Sequence, residues 1–312
     1  MIDLRALARL AAEHEADLDH AVEPFRVGDR VLDTDVRPAI MGVVNLSQDS
    51  SYRESVAPST EAAVRRGKVL TAQGADVVDV GAESVFDSAA RVGPQDQIRS
   101  LVPVVEELAD AGVAVSVESY DPVVARAALA AGAQLLNLTG SADDDAVFEL
   151  AAEFDAALVI CNVLGVNPRE LDDADVDRDP YPAMAAALGS RVAAARDRGV
   201  RAGVAVDPGA GFGMARLTDP LERVRHQSVL LLQSFRLRSL GVPVCHSLPS
   251  GFSYFEDEVR TAEGFFAVLA GLGGTGIHRT HEVPRVRAVL RAMADLPVDH
   301  APGLEKRSVL TV

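Results

Sequence analysis

Six apolar runs in this chain end in a polar or ionisable residue: Asn45, Glu83, Glu118, Asn137, Asp207 and His246. The first and clearest is Met41-Gly-Val-Val-Asn45-Leu-Ser-Gln-Asp49-Ser50, a buried strand opening into a polar loop. A carboxylate or amide at a buried strand end costs about 1–3 kcal/mol if left unpaired. It therefore either caps a loop or meets a ligand. Capping explains any one of these residues, but poorly explains six around one rim. Their chemistry is specific: Asp207 and Glu118 accept, Asn137 and Asn162 donate and accept, and Arg279 with His281 offers donors to phosphate. Acids and amides suit a flat heterocycle with amino and ring N–H donors beside a carbonyl. Arg279, His281 and Asn45 suit an anion joined to it.

The elements that must position these residues follow from the alternation of pattern along the chain. Strands are expected near 39–44, 76–80, 113–117, 133–136, 157–160, 203–206, 242–245 and 276–279. Alanine-rich helical patterns separate them, near 59–73, 95–111, 121–131, 143–154, 180–198, 217–239 and 256–271, with a last near 283–295. Ser59 and Asp121-Pro122 read as helix starts. Gly74, Gly112, Gly132, Gly199, Gly241 and Gly276 each precede a strand, as helix-terminating glycines do. Eight apolar strand-then-helix units predict an all-parallel sheet closed into a (β/α)8 TIM barrel, in which strand C-termini share one mouth. An open doubly wound sheet is the alternative, but no Gly-x-Gly-x-x-Gly follows the first strand.

The expected organisation is an N-terminal helical extension over 1–22, a barrel over 23–300 and a tail over 301–312. The extension carries Leu4, Leu7, Leu10 and Leu18 at helical spacing, and a short hairpin turns at Gly28-Asp29. Segment 165–180, rich in aspartate, reads as a solvated loop.

Composition narrows the function classes. With 312 residues and a formal net charge of −16, the surface is wrong for a nucleic-acid or anionic-membrane partner. Two cysteines, Cys161 and Cys245, and no secretory signal pattern predict a reducing cytoplasm and no disulfide framework. No run reaches the roughly 20 apolar residues of a membrane span. Lysine is scarce, Lys68 and Lys306 only, so a missing catalytic lysine has no near substitute.

These motifs together resemble dihydropteroate synthase, from about Phe25 to Arg291. Ile40-Met-Gly-Val-Val-Asn-Leu-Ser-Gln-Asp-Ser50 is similar to the family's Met-Gly-Ile-Leu-Asn-Val-Thr-Pro-Asp-Ser. Gly74-Ala-Asp-Val-Val-Asp-Val-Gly-Ala-Glu-Ser84 resembles its second signature. Ala205-Val-Asp-Pro-Gly-Ala-Gly-Phe-Gly213 resembles the sixth-strand segment, and Arg279-Thr-His281-Glu-Val the family's Arg-Val-His-Asp-Val. The resemblance implies a pterin-binding barrel in which p-aminobenzoate displaces diphosphate from a dihydropterin methyl diphosphate, with Mg2+ on the diphosphate. It implies that Asp207 holds the pterin amino and ring N–H groups with support from Asn137. Asn45, Arg279 and His281 would hold the diphosphate, with Asn45 touching the metal. Glu118, Asn162, Phe212 and Ser247 complete the expected binding set, and a homodimer is what the family implies.

The departures fall at one end of this site. The family's Ser-Arg-Lys is Ser247-Leu248-Pro249 here, and its Glu-Ser-Thr-Arg-Pro-Gly loop is Glu83-Ser84-Val85-Phe86-Asp87-Ser88. Glu118 stands for an aspartate, reaching about an ångström further. Cys161-Asn162-Val163 replaces Met-His-Met, Met214 a lysine and Gln48 a proline. Three readings follow: a transferase using another nucleophile, a non-catalytic pterin-binding paralogue, and an ordinary dihydropteroate synthase. His246, beside Ser247, is a candidate for the proton chemistry of the lost lysine, against a purely structural role. His278, one before Arg279, alternates away from the barrel interior. Cys161 reads as a small buried hydrophobe.

Overall fold

The computed structural model describes residues 2–296 except 48, 50–51, 85–88, 164, 168–169, 172–178, 212–216, 218, 252–253 and 257. Gln48, Val85, Phe86, Phe212, Met214 and the tail 301–312 lie outside the described residues. The chain begins with α1 (Leu4–Glu13) and the hairpin β1 (Phe25–Val27) and β2 (Arg30–Leu32). Then come β3 (Ala39–Asn45), α2 (Thr60–Ala72), β4 (Val77–Gly81), α3 (Pro94–Asp110), β5 (Val115–Glu118) and α4 (Pro122–Ala130). Next are β6 (Leu135–Leu138), α5 (Asp144–Glu153), β7 (Ala157–Cys161), and the short pair β8 (Gly165–Asn167) and β9 (Glu170–Leu171). The series closes with α6 (Tyr181–Asp197), β10 (Val204–Asp207), α7 (Pro220–Leu232), β11 (Cys245–Ser247), α8 (Val259–Leu272), β12 (Ile277–Thr280) and α9 (Val283–Asp295).

Eight strands form one parallel sheet in the order β10-β7-β6-β5-β4-β3-β12-β11. A parallel bridge from Val206 to Val244, with Val206 N donating to Pro243 O at 3.0 Å, joins the two ends. The (β/α)8 barrel is therefore closed, by its thinnest seam. The acidic segment differs from expectation at its start, where β8 and β9 pair as a small antiparallel hairpin. The helix expected over 217–239 is α7 followed by a separate 3-10 turn over Ser234–Leu240.

Strand alternation sorts the side chains into two layers. Ile40, Val44, Val78, Val80, Val115, Val117, Leu158 and Ile160 face outward and pack with the helices. Ala39, Met41, Val77, Ala114, Leu135, Ala157, Val159, Ala205 and Ile277 fill the interior. Phe25 and Val27 of the hairpin join that interior cluster and plug the N-terminal end. Gly203 lets the plug approach: a Cβ there would lie 2.6 Å from Phe25 Cδ2 and 2.7 Å from Arg26 N. Each inward position therefore turns polar only toward the strand C-termini.

Ser59 and Asp121 carry the capping chemistry read from sequence: Ser59 accepts from Ala62 N and Asp121 from Val123 and Val124 N. The structure adds Asp219, which accepts from Leu221 and Glu222 N. Gly132 ends α4 at φ 105°, a conformation costly for any residue with a Cβ. Gly276 does not serve as a terminator; Gly274, at φ 73°, does that, and Gly276 instead leaves room for Thr34.

Candidate functional site

The interior layer ends in a charged cluster. Arg279 on β12 donates through Nε to Asp79 Oδ2 at 2.7 Å, through Nη2 to Glu118 Oε2, and through Nη1 to Ser247 Oγ at 3.1 Å. Asp79 is fully buried and also accepts from Ser116 Oγ and from Asn137 Nδ2 at 3.2 Å. Parallel registry explains the convergence. Arg279 lies beside Met41 on one side and Ser247 on the other, while Gly81 faces Glu118 and Glu118 faces Asn137. Asp207 sits on the far side of the same interior, its Oδ1 accepting from Gly209 N at 2.7 Å and Oδ2 from Ser247 N at 3.3 Å.

Burial sets the protonation equilibria. It pushes Glu118 up to about 7, against the pull of Arg279 and with the help of Asp79 and Asp207. It pushes Asp207 up to about 6, opposed by the Gly209 and Ser247 amides. Burial works against the Arg279 charge too, but Glu118 and Asp79 outweigh it and hold the guanidinium protonated. The Cys161 thiol is pushed well up by burial, and its Sγ–H points to Asn137 Oδ1 at 3.5 Å.

A second group lies on the rim. Asn45 Nδ2 donates to Ser55 Oγ at 2.5 Å, and Ser55 donates to Tyr52 O at 2.7 Å. The Tyr52 ring stacks on His281, with centroids 4.5 Å apart and planes 12° from parallel. His281 Nδ1 lies 3.3 Å from Oε1 of the fully buried Glu263, whose other oxygen accepts from Thr280 Oγ1. Tyr52 OH donates to Glu282, and burial with that carboxylate raises the phenol above its usual range.

The structure brings together Glu118, Asn137, Asp207, Ser247 and Arg279, and sets Asn45 and His281 at the rim beside them. Asn162 is committed to the β7 and β10 ends: its N donates to Asp207 O at 2.7 Å and its Nδ2 to Pro208 O at 3.4 Å. His246 requires a correction. Its neighbours Cys245 and Ser247 point inward, so His246 points out of the barrel, where it is fully buried behind the sheet. Ser234 already donates toward Leu230 O and Leu231 O, so His246 Nε2–H donates to Ser234 Oγ at 2.5 Å. Burial and the adjacent His278 push its pKa down to about 3, and it has no access to a substrate in the barrel. His278 is turned away as the alternation predicts, buried, with neither ring nitrogen partnered among the described residues.

Sequence reasoning missed Asp79, Ser116, Glu263, Tyr52 and Arg191. Asp79 had a signal: a carboxylate inside the apolar run Val77-Val-Asp79-Val. Glu263 had a weaker one, an acid inside the apolar helix α8. Arg191 of α6 reaches under the mouth to Cys161 O at 2.6 Å, Gly140 O at 2.9 Å and Asp144, a contact set by tertiary packing alone. Leu248 turns into the helix layer beside Val224 and Phe266, 3% exposed.

Among the described residues no group of three or more His, Cys, Asp or Glu could hold a metal ion. No described helix is long and apolar enough to cross a membrane.

Comparison with known proteins agrees with the fold. The pterin binding enzyme family matches residues 41–242. A probable bifunctional folylpolyglutamate synthase/dihydropteroate synthase of Halobacterium salinarum is 34% identical over 261 residues, 82% of this chain and 31% of that protein. This chain thus spans about a third of that relative's length. An inactive dihydropteroate synthase 2 of Mycobacterium tuberculosis is 34% identical over 83% of both chains. The crystal structure of Thermus thermophilus dihydropteroate synthase with 4-aminobenzoate superposes with a TM-score of 0.72 at 29% identity, covering 86% of this chain and 98% of that one.

Proposed function

Because this chain belongs to the pterin-binding enzyme family, we propose that it binds a dihydropterin methyl diphosphate and transfers the pterinylmethyl group to a nucleophile other than p-aminobenzoate. The carrying observation is the interior itself. The convergence of the Asp79–Arg279–Glu118 cluster, Asn137 and Asp207 supports a pterin site there, while the segment that should supply arginine and lysine after β11 is Leu248-Pro249. Each carboxylate oxygen has two lone pairs, so Asp207 keeps acceptor capacity for the pterin amino and ring N–H groups beyond its two backbone bonds. Arg279 and His281 offer donors to the diphosphate. Lost charged hydrogen bonds of the family's Arg-Lys pair are worth roughly 1.5–3 kcal/mol each. Proline offers no donor in their place.

The chemistry asked of the barrel is positioning and charge stabilisation as the carbon–oxygen bond to diphosphate breaks. Mg2+ fits this donor set only as an ion carried mainly by the diphosphate. Asn45, a neutral amide whose nitrogen is turned to Ser55, is the protein contact the reading gives it, and no cluster of carboxylates or histidines among the described residues would hold it instead. Bound there, the ion would neutralise charge on the leaving group. The homodimer the family implies and the cytoplasmic setting are part of the same proposal.

A second reading, binding without transfer, is favoured by one observation: a relative 34% identical over most of both chains bears the name inactive dihydropteroate synthase 2. Calorimetry with dihydropterin methyl diphosphate and Mg2+, followed by a pyrophosphate-release assay across p-aminobenzoate, other amines, phenols and thiols, separates the readings. Binding with release for an acceptor other than p-aminobenzoate is expected. Ordinary turnover with p-aminobenzoate would refute the altered acceptor, release with none would establish a binder, and no heat with any pterin would end the pterin reading.

A further inference from the structure

A cleft of about 200 Å³ opens between the β4–α3 and β5–α4 loops, with Glu118 in its wall. At about 30 Å³ per water it holds roughly seven waters, too small for a drug-sized ligand but ample for a single ring or short chain. Most of its polar lining already has structural work. Glu83 Oε1 accepts from Val92 N at 3.1 Å, Gln97 Nε2 donates to Val92 O at 2.9 Å, and Asp121 caps α4. Two groups differ. Thr139, 3% exposed, has no side-chain partner among the described residues, and Glu118 uses Oε2 for Arg279 while its Oε1 has none. On the exposed side, Arg91 Nη1 donates to Tyr120 OH at 3.3 Å.

We propose that this cleft holds the nucleophile, a small hydroxy- or mercapto-carboxylate whose carboxylate meets Arg91, and that Glu118 takes the proton from its hydroxyl or thiol. The proposal rests on the transferase reading. Glu118 belongs to both compartments: its Oε2 meets Arg279 in the interior cluster, and the residue lines the cleft. The acceptor oxygen or sulfur bonds to the pterin methylene carbon. The carbon–oxygen bond to diphosphate breaks, its electron pair leaving on the diphosphate, and the proton passes to Glu118 and then to water. An aryl amine attacks through a neutral lone pair and sheds its proton afterwards, whereas a hydroxyl near neutral pH needs a base during attack. A carboxyl raised by burial to about 7 is matched to that task.

The test uses the full chain and benzoate, 4-hydroxybenzoate, 4-mercaptobenzoate and lactate as probes, with calorimetry and pyrophosphate release as readouts. At least one probe is expected to bind, with Thr139→Val and Arg91→Ala each weakening it about tenfold or more and leaving the pterin diphosphate affinity unchanged. Glu118→Gln should lower kcat with a hydroxyl or thiol acceptor by about a hundredfold or more and abolish a rise in rate through pH 7. Pterin diphosphate binding without any probe whose affinity depends on Thr139 or Arg91 would overturn the proposal. Probe binding lost in both variants, with no pterin binding, would keep the cleft as a carboxylate site and reject the transferase reading instead.

Discussion

Replacing Arg279 by methionine keeps much of the side-chain volume and removes the cation between Asp79 and Glu118. The variant loses the 2.7 Å bond to Asp79 and the bond to Glu118, leaving carboxylates that are 0% and 12% exposed facing one another. Taking one partner from a buried ion pair costs about 3–5 kcal/mol. The cost should also depend on pH. Glu118 has a folded pKa of about 7 against an ordinary 4.5, so the native state binds its proton more tightly than the unfolded chain. Its contribution is fully present below 4.5 and lost as pH rises through the folded value. In the wild type that loss levels off near 7, because Arg279 limits the shift. Without the arginine the folded value rises further, and the variant keeps losing about 1.4 kcal/mol per pH unit for each proton retained. The destabilisation should therefore grow by up to about 3 kcal/mol between pH 7 and 9. Urea unfolding followed by circular dichroism at pH 6, 7, 8 and 9 measures it. A difference under about 1 kcal/mol, or one constant across that range, would refute a charge-coupled buried cluster.

The histidines behind the sheet should make the fold acid-sensitive. His246 and His278 are both held near 3, so the stability they contribute is present above 6.5 and lost as pH falls toward 3, at up to about 2.7 kcal/mol per pH unit for the pair. His278→Leu should reduce that slope by about one proton's worth, and urea midpoints between pH 4 and 7 that match the wild-type slope would contradict this. Gly203→Ala puts a Cβ 2.7 Å from Arg26 N and should destabilise by about 1–3 kcal/mol through displacement of the hairpin plug. An unchanged thermal midpoint would show that the plug yields freely.

The barrel was legible because its signals are local and repeated: apolar strands and alanine-rich helices recur eight times, glycines punctuate several of the joints, and closure is the simplest way to bury such strands. Asp207 and Asn137 were legible because each closes an apolar run at a strand end, and Arg279 because it stands in the Arg279-Thr-His281 motif. Gly276 misled because glycine serves close packing as readily as helix termination, and only backbone dihedrals tell the two apart. His246 misled because a strand end marks depth along the barrel but not which face a side chain takes.

From the sequence alone came the parallel barrel, the family resemblance and the loss of lysine and arginine from the seventh strand, since all three depend on residue type and order along the chain. Which carboxylates meet Arg279, that Glu118 also lines a neighbouring cleft, and that His281 rests on Tyr52 and Glu263 were decided by tertiary structure. Those contacts join residues as far apart as Asp79 and Arg279, which parallel registry across a closed sheet brings to 2.7 Å. No local pattern encodes such a meeting.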